Sequence, residues 1–301
     1  MKEQVLVTGA AGFIGSYLIE VLLKGGYDVI ALDKNEEALF KMPTFLGEQS
    51  NELRKIIADI CDQVIMDKLG RTLKFDSIIH LAALATPRIA ETLPEKTFRV
   101  NVLGTYNVLK MAKETGVKRV VFASTAHVYG ISPKFFPTPE NTPMQLQDTY
   151  TTSKILGEQL CQLFYENHNI PYVTFRMFNG YGPRQSLDYF IPAMINKAKN
   201  GEIILKGAKT TKDWVFVDDV VDAMIRGLET NYVGALNVGT GIQTSLETIA
   251  KKIAEHYGAK FSVDIEQPPP TFMQADTSRI KTILDWSPKT TLEEGLRKTL
   301  E

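Results

Sequence analysis

The sequence predicts an α/β fold with a doubly wound parallel sheet and a smaller, interleaved C-terminal substrate region. One observation and one rule of chain topology lead to this prediction. Short runs that are apolar at almost every position alternate with longer amphipathic segments through the first half of the chain, and such strands are covered by helices on both faces. Right-handed crossovers between parallel strands then wind the chain to both sides of the sheet.

The predicted elements follow one another in a regular order. The strands are Gln4–Val7, Asp28–Leu32, Lys55–Ala58, Ser77–Ala82, Arg119–Ala123 and Tyr172–Arg176, and the helices include Phe13–Lys24, Glu95–Thr115 and Thr149–Asn167. After Asn179, glycines and prolines punctuate shorter elements, although Ala235–Val238 is typical of one more strand of the main sheet.

This change of rhythm predicts how the chain is divided. We expect a dinucleotide-binding domain of residues 1–179 plus about 213–245. The substrate-binding region comprises about 180–212 and 246–301.

Composition limits the possible functions. The chain has 301 residues, of which 44% are hydrophobic and 23% charged, with a net charge of −1. The chain lacks the excess of basic residues that would indicate binding to nucleic acid or to an anionic membrane surface. No segment is apolar over the length that is needed to cross a bilayer. Cys61 and Cys161 lack the spacing of metal ligands, so we expect no metal and a reducing, cytoplasmic location.

A glycine-rich turn joins the first strand to the first helix. Gly9 permits a tight turn, Gly12 lets the backbone approach a pyrophosphate, and Gly15 allows close packing of the helix. The helix N-terminus offers N–H groups to the phosphates. Asp33 ends the second strand, where a carboxylate accepts hydrogen bonds from ribose hydroxyls and repels a 2′-phosphate. This favours NAD over NADP, a preference that Lys34 could soften.

Tyr150 and Lys154 are four residues apart and share one face of a predicted helix. A phenol with an ordinary pKa near 10 is a poor base at neutral pH, but a neighbouring ammonium and an oxidised nicotinamide both favour the phenolate. Tyr150 can then take a proton from a substrate hydroxyl as a hydride leaves its carbon. The strand that ends Ala123-Ser124-Thr125 could supply a hydroxyl that polarises the same oxygen.

With these motifs, the chain resembles the extended short-chain dehydrogenase/reductases, in particular the NAD-dependent nucleotide-sugar epimerase/dehydratase branch. The resemblance covers nearly the whole chain. Besides the glycine-rich turn and the Tyr150–Lys154 pair, it rests on the segments 80–83, 101–105, 124–130, 176–185, 214–220 and 237–241. It implies a Rossmann fold and NAD as the cofactor.

The resemblance also implies roles for individual residues. The NAD contacts would be Gly9, Gly12, Phe13, Ile14, Gly15, Asp33, Asp59, Ile60, Leu81, Ala82, Ala83, Asn101, Tyr150 and Lys154. Within this set Asp33 would hold the ribose, and Asp59 with Ile60 the adenine. The catalytic residues would be Thr125, Tyr150 and Lys154, and the substrate would contact Thr125, Tyr150, Asn179 and Lys212.

The residues after Thr125 bear on the type of reaction. Sugar 4,6-dehydratases carry acidic residues there, whereas this chain has Ala126 and His127, which disfavours that chemistry. The resemblance instead implies a nucleotide-sugar epimerase that oxidises the sugar C4 transiently. An NAD(P)-dependent ketosugar reductase uses the same residues and is left open. A non-catalytic dinucleotide sensor is disfavoured because it has no need of Thr125, Tyr150 and Lys154.

Two positions depart from the family pattern. Lys212 stands where the family usually has an arginine that clamps the substrate diphosphate, and lysine keeps the charge but loses the bidentate fork. A second family arginine has no counterpart within residues 266–270. The identity of the sugar and nucleotide is therefore open. The resemblance further implies a homodimer formed through Glu95–Thr115 and Thr149–Asn167.

Overall fold

A seven-stranded sheet forms the centre of the fold. The computed structural model describes residues 3–41, 52–130, 132–133 and 135–301. The strands among them are β1 (Gln4–Thr8), β2 (Asp28–Asp33), β3 (Leu53–Ile57), β4 (Ser77–His80), β5 (Arg119–Thr125), β6 (Tyr172–Met177), β7 (Asn179–Tyr181), β8 (Glu202–Leu205), β9 (Thr211–Phe216), β10 (Gly234–Val238), β11 (Gln243–Ser245) and β12 (Lys260–Val263). The central sheet has the order β10-β6-β5-β4-β1-β2-β3.

Helices alternate with these strands. They are α1 (Phe13–Lys24), α2 (Glu36–Lys41), α3 (Gln63–Thr72), α4 (Pro87–Thr92), α5 (Pro94–Phe98), α6 (Thr105–Thr115), α7 (Thr149–His168), α8 (Phe190–Lys199), α9 (Val217–Glu229), α10 (Leu246–Tyr257), α11 (Ser278–Leu284) and α12 (Leu292–Leu300). Among the described residues, no helix combines the length and apolarity that crossing a membrane requires.

The sheet is wound in both directions from β1. The chain first adds β2 and β3 on one side, then crosses to β4, β5 and β6 on the other. The pairs β1–β2, β2–β3, β1–β4 and β4–β5 are all parallel. The doubly wound prediction is confirmed, and β10 confirms that Ala235–Val238 belongs to this sheet. In such sheets ligands bind beyond the carboxyl ends of the strands where the winding reverses, which here is between β1 and β4.

Burial on both faces explains why the strands are so apolar. Every residue of β5 is buried. The main hydrophobic cluster packs Leu6, Ile78 and Phe122 of the sheet against helix residues such as Val108 and Cys161. Truncating one such leucine to alanine typically costs about 2–5 kcal/mol, so this packing holds the carboxyl ends of β1, β4 and β5 in a fixed arrangement.

One predicted helix is interrupted. The sequence predicts a continuous helix over Glu95–Thr115, whereas α5 and α6 are joined by a π-helical segment, Arg99–Gly104. Gly104 packs on Ile60, and a Cβ there would lie 2.5 Å from Ile60 Cδ1. The helical periodicity of a sequence does not reflect tertiary contacts of this kind. The pattern therefore predicts a regular helix. Wider turns of this type occur often at functional sites.

The chain folds into two compact units. The first comprises Met1–Val128, Met144–Arg176 and Val221–Leu236, and the second Tyr129–Pro143, Met177–Val220 and Asn237–Glu301. The second unit contains the small sheets β11-β9-β7 and β12-β8. The domain limits expected from the sequence stay a prediction.

Asp213 of β9 organises the second unit. Its side chain is fully buried. The carboxylate accepts hydrogen bonds from Thr240 N at 2.7 Å, Thr240 Oγ1 at 2.6 Å, Gly241 N at 2.8 Å and Ala275 N at 3.0 Å. Burial raises the pKa of this carboxyl, and the four donors partly offset that increase. One side chain thus joins three separate stretches of backbone.

Replacing Asp213 by alanine should destabilise the protein strongly. Three backbone N–H groups, of Thr240, Gly241 and the buried Ala275, would lose their acceptor, and each donor left unsatisfied in a buried site costs about 1–3 kcal/mol. We expect the free energy of unfolding, measured by urea denaturation, to fall by about 3 kcal/mol or more. The control is Glu247→Ala, which breaks an exposed pair with Lys251 and should cost less than about 1 kcal/mol. Equal losses in the two variants would contradict this role for Asp213.

Candidate active site

The glycine-rich turn between β1 and α1 is a close-packed backbone cradle. Gly9 has φ of +69°, a left-handed conformation that favours glycine. A Cβ at Gly9 would lie 2.6 Å from the amide nitrogen of Ala82. A Cβ at Gly15 would lie 2.6 Å from the carbonyl oxygen of Ala10. Glycine is therefore needed at position 15 because α1 closely approaches the turn itself. This requirement adds to the close helix packing that the sequence predicts for Gly15.

The N-terminus of α1 faces this turn without a side-chain cap. Gly12 is the N-cap residue, and it forms no side-chain cap hydrogen bond. No acidic residue lies in that turn. Unsatisfied N–H groups at a helix N-terminus form a binding site for phosphate oxygens. The arrangement fits the predicted pyrophosphate contact of Gly12, Phe13 and Ile14, which stays a prediction.

Asp33 holds the turn as well as ending β2. Its Oδ2 accepts a hydrogen bond from Ala11 N at 3.0 Å, and its Oδ1 accepts one from Asn35 N at 2.9 Å. A carboxylate has about four acceptor sites, so both oxygens can still accept from ribose hydroxyls. The expected ribose contact is compatible with this geometry.

A cavity of about 550 Å³ opens beside the ends of β2 and β3. Its lining includes Lys34, Asp59, Cys61, Leu93 and Arg99. Burial by itself would raise the pKa of Asp59, but a hydrogen bond from Cys61 and the charges of Lys34 and Arg99 hold that pKa below its usual value. The ionised carboxylate of Asp59 at the wall of this partly apolar cavity could accept a hydrogen bond from an adenine amino group.

Ile60 lies outside this lining. Its side chain is 4% exposed and packs beneath Gly104, while its carbonyl oxygen accepts from Asn107 Nδ2 at 2.8 Å. The adenine contact expected for Ile60 stays a prediction, and the structure adds a core-packing role.

The segment after β4 runs along the glycine-rich turn. Leu81 N donates to Thr8 O at 3.1 Å. Asn101, in the π-helical segment, accepts from Leu84 N at 2.8 Å and donates to Leu84 O at 3.1 Å and to Ser153 Oγ at 2.8 Å. Asn101 therefore fixes the segment that contains Leu81, Ala82 and Ala83, and it links that segment to α7.

His80 has the hydrogen bonds of a structural histidine. Its Nδ1 is 2.7 Å from Thr8 Oγ1, and its Nε2 is 2.9 Å from Thr105 Oγ1. Burial lowers the pKa of His80 to about 3, with a smaller effect of the Lys154 charge. The ring is therefore neutral and ties β1, β4 and α6 together.

Helix α7 carries the predicted catalytic pair on a buried face. Asp148 caps the helix by accepting from Thr151 N at 2.6 Å. Tyr150 and Lys154 follow at a spacing of four and are 7% and 5% exposed. Lys154 Nζ donates to Ala123 O at 2.8 Å and lies 5.2 Å from the centre of the Phe122 ring. Burial lowers the pKa of Lys154 to about 8, and the Glu158 charge opposes this decrease.

Ser124 and Thr125, at the end of β5, have neighbouring hydroxyls with different hydrogen bonds. Ser124 is 1% exposed, and its Oγ donates to Glu158 Oε1 at 2.5 Å. Thr125 Oγ1 instead accepts from His127 N at 3.2 Å, which leaves its own hydrogen available for donation. Of the two hydroxyls, that of Thr125 is therefore the better placed to donate to a substrate oxygen, and the catalytic role expected for Thr125 stays a prediction. The His127 ring packs edge-on to the Tyr150 ring with centroids 6.2 Å apart.

Asn179 and Lys212 lie on neighbouring strands of the second unit. β7 pairs with β9 in parallel, with Asn179 opposite Trp214. Lys212 Nζ is 3.3 Å from Met273 Sδ, a weak acceptor. Burial lowers the pKa of Lys212 to about 8. The two predicted substrate contacts are thus brought onto one small sheet.

A family model described as the NAD dependent epimerase/dehydratase family matches residues 5–239. The chain belongs to this family. UDP-glucose 4-epimerase of Mycolicibacterium smegmatis is 33% identical, over 99% of this chain and 97% of the relative. UDP-glucuronic acid decarboxylase 3 of Arabidopsis thaliana is 31% identical, over 97% of this chain and 86% of the relative.

A solved structure gives the same result for the fold. The Thermus thermophilus UDP-glucose 4-epimerase complex with NAD matches with a TM-score of 0.88 and 28% identity, covering 99% of this chain and 97% of that one. The predictions of the family, the Rossmann fold and NAD as cofactor are confirmed.

The residues present fit NAD. The turn formed by Gly9, Gly12 and Gly15 is packed so closely on backbone atoms that side chains at positions 9 and 15 would not fit, as a phosphate-binding turn of this family requires. Asp33 retains acceptor capacity beside it, and the cavity next to Asp59 has room for a planar base. The assignment of individual NAD contacts remains the prediction made from the sequence.

Sequence reasoning missed two buried charges next to the catalytic pair, Glu158 and Arg176. Glu158 lies four residues after Lys154, so the helical spacing contained a signal. In the sequence, Arg176 is the end of a predicted strand and the start of a family segment, and neither indicates a charged partner. Its partner lies 18 positions away along the chain, and no periodicity reveals such a pair.

Replacing Gly15 by alanine should weaken NAD binding while the protein still folds. The added Cβ would overlap the carbonyl oxygens of Gly9 and Ala10, so the turn must shift away from the phosphate position. We expect the Kd for NAD, measured by calorimetry on cofactor-free protein, to rise roughly tenfold or more, equivalent to about 1.4 kcal/mol. The neighbouring control Ser16→Ala removes only a bond to Phe13 O and should leave Kd nearly unchanged. Unaltered affinity in the Gly15 variant would contradict the cradle.

Proposed function

We propose that the protein is an NAD-dependent epimerase that inverts C4 of a nucleotide sugar, with Tyr150 as acid and base. The observation that carries this proposal is the arrangement of α7 and β5. Tyr150 and Lys154 share a buried helical face, and the Ser124 hydroxyl is occupied by Glu158. Thr125 then has the hydroxyl hydrogen that remains for a substrate oxygen. The Mycolicibacterium relative, a UDP-glucose 4-epimerase by name, supports the same reaction.

The residues of this chain move and stabilise a proton. Tyr150, as phenolate, takes the proton of the sugar hydroxyl when the carbon is oxidised, and it returns the proton when the carbon is reduced. The Lys154 ammonium favours the phenolate by its charge. Thr125 donates a hydrogen bond to the same oxygen and stabilises the charge that develops there. NAD, when bound, supplies the acceptor and donor of the hydride. Because the proton and the hydride are both returned, the reaction is an isomerisation with no net redox change.

Substrate recognition is proposed for Asn179 and Lys212. Both are partly buried on the β7–β9 sheet, and an ammonium there would attract a phosphate oxygen as a point charge. The residues beside Thr125 favour epimerisation over dehydration, because Ala126 is fully buried and has no acid–base group.

Turnover without added nicotinamide tests the proposed function. Purified protein is incubated with UDP-glucose or UDP-galactose, and the products are separated by chromatography. We expect interconversion of the two sugars, with Tyr150→Phe lowering kcat roughly 100-fold or more, in the usual range for loss of a general acid–base group. Full turnover by Tyr150→Phe would overturn the mechanism.

The same assay distinguishes the related reactions. A ketosugar reductase would consume NADH or NADPH in proportion to product. A decarboxylase like the Arabidopsis relative would release carbon dioxide from UDP-glucuronic acid. Either result, without epimerisation of any UDP-, GDP-, CDP- or dTDP-sugar tested, would replace the proposed reaction by that one.

We also propose a reducing, cytoplasmic location for the protein. The two cysteines support it, because both are buried free thiols.

We also propose that the protein is a homodimer. Large apolar side chains are exposed along the π-helical segment, α6 and α7, namely Leu103 at 45%, Tyr106 at 41%, Leu156 at 39% and Leu163 at 46%. Leu156 and Leu163 are two helical turns apart and share one face of α7. Exposed apolar patches of this kind support an interaction with a second copy.

Light scattering at micromolar concentration should give twice the monomer mass of 33.7 kDa. Leu163→Glu should shift the mass to that of a monomer, because a buried glutamate in an apolar interface is costly. The exposed Leu187, outside these helices, provides the control Leu187→Glu, which should stay dimeric. A monomeric parent protein would contradict the proposal.

A further inference from the structure

Glu158 extends the catalytic face of α7 by one more turn. Tyr150, Lys154 and Glu158 recur at a spacing of four, and all three are buried. Glu158 is 6% exposed. A carboxylate in such a site is costly unless other groups compensate its charge. Its neighbours therefore indicate what it does.

The Glu158 carboxylate has two buried partners. Arg176 Nε lies 3.1 Å from Oε1 and 3.2 Å from Oε2, and Arg176 Nη2 lies 2.8 Å from Oε2. Ser124 Oγ donates to Oε1 at 2.5 Å. A buried ion pair of this kind is weak evidence for stability, because apolar residues of similar volume often serve as well. A role in the reaction would explain its position better.

Two consecutive residues of β5 are tied to α7. The Ala123 carbonyl accepts from Lys154 Nζ, and the Ser124 hydroxyl donates to Glu158. Thr125 is the next residue. The two bonds fix the end of β5 along α7, and so they fix Thr125 in relation to the helix that carries Tyr150. Arg176 adds β6 to the same group of bonds.

The charged and titratable groups near Lys154 lie on β4, β6 and α7, and they differ in their effect on its charge. His80 of β4 is neutral, because burial lowers its pKa to about 3. Cys161 of α7 is a neutral thiol, because burial raises its pKa far above neutral. Glu158 of α7 raises the pKa of Lys154 against the effect of burial. Arg176 of β6 is paired with Glu158, and Tyr150 is the group that Lys154 serves.

We propose that Glu158 is a positioning residue that keeps the Lys154 ammonium charged beside Tyr150 and, through Ser124, holds Thr125 in register. This inference rests on the proposed acid–base role of Tyr150. Arg176 has the secondary task of holding the Glu158 carboxylate in place. Glu158 acts through Lys154 and Ser124 and contacts no reacting atom.

The variant Glu158→Gln separates charge from shape. Glutamine has nearly the same volume and still accepts a hydrogen bond from Ser124, but it lacks the negative charge. Lys154 should then lose its proton at lower pH. Because activity requires the ammonium, which is present below the pKa of Lys154, the alkaline limb of the kcat profile should move to lower pH by about one unit or more. The loss in kcat should grow from about pH 6.5 to about pH 8.5 while KM changes little.

Two further variants keep the test decisive. Glu158→Gln removes the carboxylate charge that Arg176 faces and could unfold the protein, so the double variant Glu158→Gln/Arg176→Gln removes both charges. If Glu158 has a merely structural role, a double variant with the parental Tm should regain the parental pH profile. If Glu158 supports Lys154, the alkaline limb should stay shifted. Ser124→Ala keeps the ion pair and should lower kcat severalfold without moving that limb.

A matched control lies at the other end of β5. Arg119 is 5% exposed and donates to Tyr232 O at 2.7 Å. Arg119→Gln should lower Tm and leave the alkaline limb in place. A parental limb in both Glu158 variants would overturn the role of its charge, and parental kcat in Ser124→Ala would overturn the register role.

A measurement without substrate separates this inference from the proposed function. The phenolate absorbance in the near ultraviolet is titrated in the parent protein and in Glu158→Gln, with the corresponding Tyr150→Phe proteins as blanks. We expect the Tyr150 step to move to higher pH in Glu158→Gln, because the neutral amine no longer favours the phenolate. An unmoved step would contradict the inference even if the protein proves to be an epimerase. A moved step would support it even if every nucleotide sugar fails as substrate.

Discussion

The close approach of backbone to backbone beside β1 is the constraint on which the site depends. Gly9 lies against Ala82, and Gly15 lies against the turn that contains Gly9. With side chains at these positions, the first helix and the segment after β4 could not both reach the carboxyl edge of the sheet. The first turn of α1 has no side-chain cap. A fold that needs small residues for packing thereby also presents the kind of helix N-terminus at which anions bind.

The second constraint is the buried face of α7. A helix packed on a parallel sheet normally presents apolar residues there, whereas this one presents Tyr150, Lys154 and Glu158. Each of the two charged groups has a compensating contact: a carbonyl and an aromatic ring for Lys154, and a guanidinium with a hydroxyl for Glu158. Burial lowers the pKa of Lys154 to about 8, and the charge of Glu158 limits this decrease. This face therefore has less apolar packing than usual, as its proposed role in proton transfer requires.

Much of this was accessible from the sequence, for a physical reason. Strands buried on both faces leave an apolar signature at every position, and a phosphate-binding turn leaves glycines at set spacings. The Tyr150–Lys154 pair follows from helical periodicity. By contrast, the interruption of the helix at Arg99–Gly104, the choice between Ser124 and Thr125, and the pairing of Glu158 with Arg176 depend on partners distant in the chain. Such contacts carry no periodic signal, so only the folded structure reveals them.

Specificity was less accessible than catalysis because the two depend on different parts of the fold. The proposed catalytic residues lie on β5 and α7, whose positions are set by a packed core. Lys212 lies on a three-stranded sheet of the second unit. Burial lowers the pKa of Lys212 to about 8, so a phosphate bound there would itself help to keep this group charged. An ammonium offers no bidentate fork, so the proposed contact of Lys212 with a phosphate would fix the direction of approach less strictly than the arginine that the family usually has at this position.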